Sequence, residues 1–416
     1  MPGNKNVLIS GAGVAGPILG WWLHHYGFHP VIVERADELR TGGQPIDLWG
    51  SAVDVVERMG LLPEIEAART RNDCSIIIAP GHDPFEADVG KLLVELGGRH
   101  VEILRGKLVS IVHAASQGGV EYIFGDTITR LEERSDGVVV TFEKHGQRDF
   151  DLVIGADGQH SNVRHLAFGE EAHLSRYMGG YVCGYTTPDF LGVENTLHQY
   201  VAVGKTVATA PIRQTGDLAV IFAFRCPEPL GIGHDDVEGQ KRLLREHFEA
   251  DGWEVPRLLE FLDDARDFYF YPISQIHMES WVKDRIALVG DAGYSPAPAV
   301  GGGSSLAVSS AYVLAGELAE AMDDPARGLQ DYQSALDGVV RASRQIAPAG
   351  ISSLLPSSEF AISLRFLLGP LLLATPSAIR RIIPVVPRKA VKGLHAIAEI
   401  PIGDYEPGSG ADASRR

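Results

Sequence analysis

The 416-residue chain has little cysteine: Cys74, Cys183 and Cys226 stand far apart and form no Cys-x-x-Cys pair. This spacing excludes a disulfide framework and a redox dithiol and offers no zinc site, so it points to a reducing, cytoplasmic setting. Histidines such as His198 and His277 show no metal-ligand spacing. Positive charge is also scarce, with 37 Lys and Arg against 54 Asp and Glu and a net charge of −17. Such a chain repels phosphate backbones, which excludes non-specific nucleic-acid binding. The N-terminus lacks a signal-peptide pattern, because Asn6 to Ser10 already reads as a core strand. The apolar run Phe366 to Ile379 has 14 residues and contains Pro370 and Pro376. A membrane span needs ~20 residues.

Glycine is abundant, with 47 residues clustered in a few turns. After the first strand, Gly11 to Gly16 form a tight turn, and Pro17 to Tyr26 carry a helical apolar face that ends at Gly27. Val31 to Val33 is the next strand and ends at Glu34, completing a βαβ unit. Further strands read at Tyr122–Phe124, Val138–Phe142, Leu152–Ile154 and Ile286–Val289, with a long helix over 304–322. Between about 178 and 280 the composition changes to segments rich in Val, Tyr, Thr and Phe, broken by one helix over Val237–Ala250. That is the signature of an antiparallel sheet. Pro80, Gly81 and Pro84 mark loops between 75 and 95.

The expected fold is α/β: a discontinuous Rossmann-like domain with an inserted β-rich domain and a C-terminal helical segment. The first spans 1–75, 98–177 and 282–345; the second spans 76–97 and 178–281; the third is 346–416. Residues 345–416 carry eight Lys or Arg and five Asp or Glu, against the acidic balance elsewhere. The residues after Pro407 read as a polar tail.

Three motifs carry the chemistry. The first is Gly11-Ala12-Gly13-Val14-Ala15-Gly16 with Glu34 closing the second strand. Gly11 permits the turn, Gly13 and Ala15 lie where a pyrophosphate meets the helix N-terminus, and Gly16 allows close helix–strand packing. Glu34 supplies acceptors for ribose hydroxyls. This motif alone fits FAD and NAD equally. The second is Asp151 to Arg164, centred on Gly155-Ala156-Asp157-Gly158. The third is Arg285 to Ala292 with Gly290-Asp291, followed by Pro298 and Gly301-Gly302-Gly303.

Together, in this order over residues 5–345, these motifs resemble the flavoprotein aromatic hydroxylases, single-component FAD monooxygenases typified by para-hydroxybenzoate hydroxylase. The resemblance implies that Glu34 holds the adenosine ribose, Arg35 lies near the adenine, and Arg105, opening Arg105-x-x-Leu108, contacts FAD. It also implies that Asp157 serves FAD and NAD(P)H binding and that Asp291 binds the ribityl hydroxyls. Pro298, Gly301 and Gly303 would line the isoalloxazine. Gly42 to Leu48, which includes Gln44, resembles a loop of the tetracycline-inactivating branch that lies near flavin and substrate. The chain departs from the family pattern at Gly293-Tyr294, where Ala-His is usual, at Ser305 for asparagine and at Ser310 for aspartate. No halogenase Trp-x-Trp-x-Ile-Pro signature, no close cysteine pair and no second glycine fingerprint is present.

On the inserted sheet, Tyr185, Tyr200, Phe222, Phe224 and Arg225 are the substrate candidates, since aromatics stack on planar rings and an arginine holds a phenolate. The competing reading is that alternating aromatics in a sheet form core. The apolar stretches Ile351–Leu355, Phe360–Leu373 and Ile382–Val386 read as helices capping the cavity. A peripheral membrane contact through Arg380, Arg381, Arg388, Lys389 and Lys392 is the alternative.

The resemblance thus implies a cytoplasmic, monomeric or homodimeric enzyme with bound FAD and with NADPH or NADH as a transient co-substrate. It would hydroxylate an aromatic or polyketide-like molecule with O₂ through a flavin C4a-hydroperoxide, leaving no catalytic side chain to be read from the sequence. The rivals are a flavin dehydrogenase or desaturase on the same scaffold and a non-catalytic ligand carrier.

Overall fold

The computed structural model describes residues 6–39, 42–72, 74–88, 98–233, 235–298, 301–374 and 388–405. A six-stranded sheet runs Val282–Lys283, Ile286–Leu288, Leu152–Gly155, Asn6–Ser10, His29–Glu34, Glu121–Phe124. Its pairings are parallel except at the 282–283 edge. Val7, Leu8 and Ile9 are fully buried in its middle, as expected where a parallel sheet is covered on both faces. Helix Ala15–His25 packs against helix Gly303–Glu320. Gly27, at φ +86°, ends the first helix in a conformation that side chains avoid.

A seven-stranded sheet forms the second layer, in the order Tyr269–Ile276, Ser175–Pro188, Asp217–Arg225, Lys205–Ile212, Thr196–Ala202, Cys74–Ile78, Phe85–Asp88. The last two strands lie in the stretch read from sequence as loops, and they reach the sheet by parallel pairing of Cys74–Ile78 with Thr196–Ala202. Two helices, Val237–Phe248 and Val255–Glu260, cover this sheet where one was expected. Between the two sheets lies a ribbon of Pro45–Trp49 paired antiparallel with His100–Leu104, which sets Asp47 opposite Glu102.

C-terminal helix Ile346–Leu354 packs Ala347 and Ile351 on Val182, Ala223 and Ile273 of the large sheet. Helix Glu359–Ala374 sets Ile362 and Phe366 against Ile77, Ala87 and Val201. Helix Arg388–Ala398 returns to the Rossmann-like domain, where a Cβ on Gly50 would lie 2.0 Å from the Ala398 carbonyl. Beyond it the chain is a strap. Arg58 donates to the Gly403 carbonyl (2.8 Å) and pairs with Asp404, and the Tyr405 hydroxyl donates to Glu317 (2.9 Å). Arg380, Arg381, the 382–386 stretch and the tail after 407 lie outside the described residues. Among the described residues no single helix is long and apolar enough to cross a membrane.

Candidate active site

The three motifs meet at one place. Gly11 has φ +105°, and a Cβ there would stand 2.7 Å from the Ala156 carbonyl of the second motif. A Cβ on Gly16 would stand 2.0 Å from the Gly11 carbonyl, so only glycine lets this helix start so close to the strand. Gly290 of the third motif has Ala307 and Ala15 as its nearest neighbours, which joins the first helix to the long one.

Charged groups sit around this junction. Glu34 accepts from the backbone N–H of Ala12 (2.8 Å) and of Ala36 (2.9 Å), which fixes its carboxylate beside the glycine turn. Those two bonds use half of the ~4 acceptor sites of a carboxylate. Arg35 is exposed just beyond it. The Arg105 guanidinium lies over the turn, 3.4 Å from where a Gly13 Cβ would be, and the Arg105 N–H donates to the Gln44 carbonyl (3.1 Å). The Gln44 side-chain oxygen is buried without a partner. Asp291 is exposed to solvent, although protein crowds its carboxyl. Burial pushes its carboxyl up, against the opposing influence of Ser295 and of the Arg105 charge. Gly303 opens the long helix beside it, with Asp291 Oδ1 3.8 Å from a built Cβ as its nearest neighbour. Gly301 and Gly302 both have positive φ and lie against the Trp49 ring, and Pro298 is the last described residue before them.

Asp157 sits beneath the glycine turn and its acceptors are already engaged. Ser10, Ser161 and the N–H groups of Asn162 (2.9 Å) and Val163 (3.1 Å) all donate to it, tying the first strand to helix Asn162–Phe168. Burial raises this carboxyl and those donors oppose the rise.

The large sheet has two unlike faces. Successive side chains alternate between them. Tyr185, Tyr200, Phe222 and Phe224 all lie on the face covered by the helices 237–248 and 255–260 and are buried. The Tyr185 hydroxyl donates to the Leu258 carbonyl (2.6 Å), and the Tyr200 hydroxyl accepts from Gly252. These four expected substrate contacts are therefore core, because aromatic side chains bury the most area where helices can cover them. Arg225 lies at the rim on the other face and donates to the Leu355 carbonyl (2.6 Å), holding the C-terminal segment.

That inner face is built from smaller or half-buried side chains: Gln199, Ala208, Ile221 and Tyr269. Leu104 of the ribbon packs on its Ala210, Ile212 and Ala219. By alternation, Asp47, Trp49, His100 and Glu102 share the ribbon face that carries Leu104. One end of this ribbon face, at Trp49, thus lies against the Gly301–Gly302 backbone, and the other, at Leu104, lies on the sheet. Trp49, Asp47, His100 and Glu102 come together on this ribbon face, a grouping that the sequence did not reveal. Strand alternation in Pro45–Trp49 could have signalled them, but the run reads as a loop after Gly42-Gly43.

Residues 4–345 match the FAD binding domain family. The chain belongs to that family of flavin-dependent monooxygenases. A flavin-dependent monooxygenase from an unknown prokaryotic organism is 38% identical over 83% of this chain and 89% of its own length. One from Legionella longbeachae serogroup 1 is 35% identical over 83% and 88%. Among solved structures, tetracycline destructase Tet(55) superposes with a TM-score of 0.79 at 34% identity, covering 96% of this chain and 99% of its own. Tetracycline destructase Tet(51) does so at 0.80 and 30%, covering 97% and 100%.

The residues of this monooxygenase fit FAD. Glycines leave the cradle open, Arg105 supplies positive charge beside the Gly11–Gly16 turn, and Asp291 borders Gly303. The departures from the family pattern have structural roles. Tyr294 is buried, its hydroxyl 2.7 Å from that of Tyr332, which in turn donates to the Leu288 carbonyl. Ser305 accepts from the Trp49 N–H (3.0 Å) and donates to the Asp47 carbonyl (2.9 Å), pinning the ribbon to the start of the long helix. Ser310 donates back to the Ala307 carbonyl of its own helix.

Proposed function

We propose that this flavoprotein hydroxylates an aromatic or polyketide-like molecule, using O₂ and consuming NADPH or NADH in the cytoplasm. The observation that carries this reading is the meeting of the three glycine motifs beside Arg105 and Asp291, next to the ribbon that lies on the inner sheet face. The match to tetracycline destructases over nearly the whole chain supports a large, flat substrate there. Bound FAD would supply oxygen activation and transfer. The chain's own residues would do the rest. Arg105 balances phosphate charge, Glu34 holds the ribose, and Asp291 orients the ribityl chain. The glycine turn lets a planar ring approach the backbone, and Trp49 helps to keep water out.

The test is NADPH oxidation and O₂ uptake against a panel of tetracyclines, quinones and phenols, under ¹⁸O₂. One labelled oxygen atom in the product supports a monooxygenase. An oxidised product without label indicates a dehydrogenase, and binding without turnover indicates a carrier. A second test uses Gly303→Val. Protein atoms leave room for a Cβ at this position, so the variant should fold and retain FAD through the untouched adenosine half. A displacement of ~1 Å costs about 100-fold in productive rate, so NADPH should be consumed with release of hydrogen peroxide and little product.

A further inference from the structure

Helix Glu359–Ala374 has two unlike sides. On one, Ile362, Phe366 and Leu373 pack against Ile77, Ala87 and Val201 of the large sheet. Phe366 meets the Phe85 ring edge-on (centroids 5.1 Å), and a Cβ on Gly369 would lie 3.0 Å from that ring. The His82 Nε2 is 3.1 Å from the Ser363 hydroxyl, and Arg365 donates to the Gln199 side-chain oxygen (3.3 Å). These contacts fix the helix to the inserted domain. Its other side carries Phe360, Leu364, Leu367, Leu368 and Leu371, all exposed, Phe360 at 75% and Leu367 at 67%. At ~100° per residue these five fall within about 100° of arc, and Ile362, Phe366, Gly369 and Leu373 centre on the opposite side. Among the described residues, only Val203 and Val237 are large, apolar and exposed besides them. Single exposed apolar residues are ordinary, but five along one helix stripe make a patch.

The charge of the chain around this stripe selects its occupant. From Phe360 to Ala398 there is no Asp or Glu, and the charged residues are Arg365, Arg380, Arg381, Arg388, Lys389 and Lys392, in a chain whose net charge is −17. An anionic surface repels the acidic body of this protein and attracts this stretch. Size argues against a second copy of the chain. The stripe exposes on the order of 500 Å², short of the ~800 Å² per partner of a stable protein interface. A bilayer surface sets no such minimum, since it takes up an apolar stripe to a depth of ~5–10 Å and holds cations at its headgroups. We propose that helix Glu359–Ala374 lies flat on an anionic lipid surface, with Phe360, Leu364, Leu367 and Leu368 at the boundary between headgroups and acyl chains. The contact is peripheral. The other side of the helix stays on the inserted domain, and its 16 residues are too few to span ~30 Å of hydrocarbon.

The experiment is flotation of the FAD-loaded full chain with vesicles of phosphatidylcholine, alone or with about 30% phosphatidylglycerol. The wild type should float with the mixed vesicles and bind pure phosphatidylcholine at least about 5-fold more weakly, the scale of one Lys or Arg near an anionic surface. Raised salt should release it from the mixed vesicles. Phe360→Ser and Leu367→Ser should each weaken binding by about 10-fold, the lower end for withdrawing a large apolar side chain from burial. Both should keep their FAD and melting temperature, because these side chains are exposed in the free protein. Val237→Ser, which removes an exposed apolar residue from another helix, should bind like the wild type. Equilibrium sedimentation without lipid should give one mass for the wild type and both helix variants. The lipid and salt comparisons need no variant. Absence of flotation with the mixed vesicles, equal binding to both vesicle types at both salt levels, or undiminished binding in Phe360→Ser or Leu367→Ser overturns the proposal. So does an equal loss in Val237→Ser, and so does a dimer that either helix variant dissociates, which would make the stripe a contact between copies of this chain.

Discussion

The two faces of the seven-stranded sheet come from the same strands but have opposite properties. One face holds Tyr185, Tyr200, Phe222 and Phe224, packed under two helices with no exposure above a few per cent. The other holds Gln199, Ala208 and Ile221, half-buried, with Ala210, Ile212 and Ala219 under the ribbon's Leu104 and Val182, Ala223 and Ile273 under helix Ile346–Leu354. Large aromatics dominate the face covered by the inserted helices; smaller side chains dominate the face that meets the ribbon and the C-terminal helix. Period-two alternation shows that two such faces exist but does not say which is covered. That depends on the helices Val237–Phe248 and Val255–Glu260, which lie far from the strands in sequence.

The sharpest way to break this contrast is Phe222→Ala. A fully buried phenylalanine truncated in a core should lower stability by about 3–5 kcal/mol, read by denaturant unfolding. Turnover per folded molecule should be nearly unchanged. A large loss of turnover at full folding would instead place Phe222 in the substrate site. Ala208→Trp on the opposite face should do the converse. Stability should shift by less than about 1.5 kcal/mol and FAD should remain bound, while kcat/KM for a polycyclic substrate falls by ~100-fold, the ~2.7 kcal/mol scale of a filled site. Wild-type turnover in this variant would show that the inner face is not the wall of the cavity.

Two smaller effects sharpen the account. Tyr185→Phe loses the bond to the Leu258 carbonyl and should cost about 1–2 kcal/mol of stability, checked by thermal melting, with kcat/KM retained. The ribbon carries a pH-linked term of opposite direction to the usual carboxylate. Glu102 is raised from 4.5 to about 7 in the folded chain, so the folded state binds its proton more tightly than the unfolded state. Its contribution is present below about 4.5 and is lost as pH rises through about 7. Melting curves of wild type and Glu102→Gln should therefore diverge across that window, with the wild type losing about 3 kcal/mol relative to the variant. Parallel curves would place Glu102 at an ordinary carboxyl value.

The motifs that meet at the Rossmann-like domain were legible in the sequence because their signals are local. Gly11 to Gly16, Glu34, Gly290-Asp291 and the Gly301–Gly303 turn lie in short segments where backbone demands and residue choice coincide. The long helix and the first βαβ unit follow from the same local periodicity. The cavity half was not legible, because it arises from long-range pairing. Asp47 acquires its meaning from Glu102 and His100, more than fifty residues away. Strand Lys205–Ile212 sets Thr206, Ala208 and Ala210 on one face and Val207 and Thr209 on the other, so small and polar groups on both faces blur its apolar alternation. Ser305 gave no sign that its hydroxyl would bridge two backbone groups of a distant ribbon.

The most direct test of the account is a crystal structure of the FAD-loaded protein with a bound polycyclic substrate or product. The account predicts ligand density between Ala208 on the inner sheet face and Trp49 of the ribbon, beside the Gly301–Gly303 backbone. Density on the opposite face of the sheet, among Tyr185, Phe222 and the helices above them, or a ligand remote from the Gly301–Gly303 turn, would contradict it.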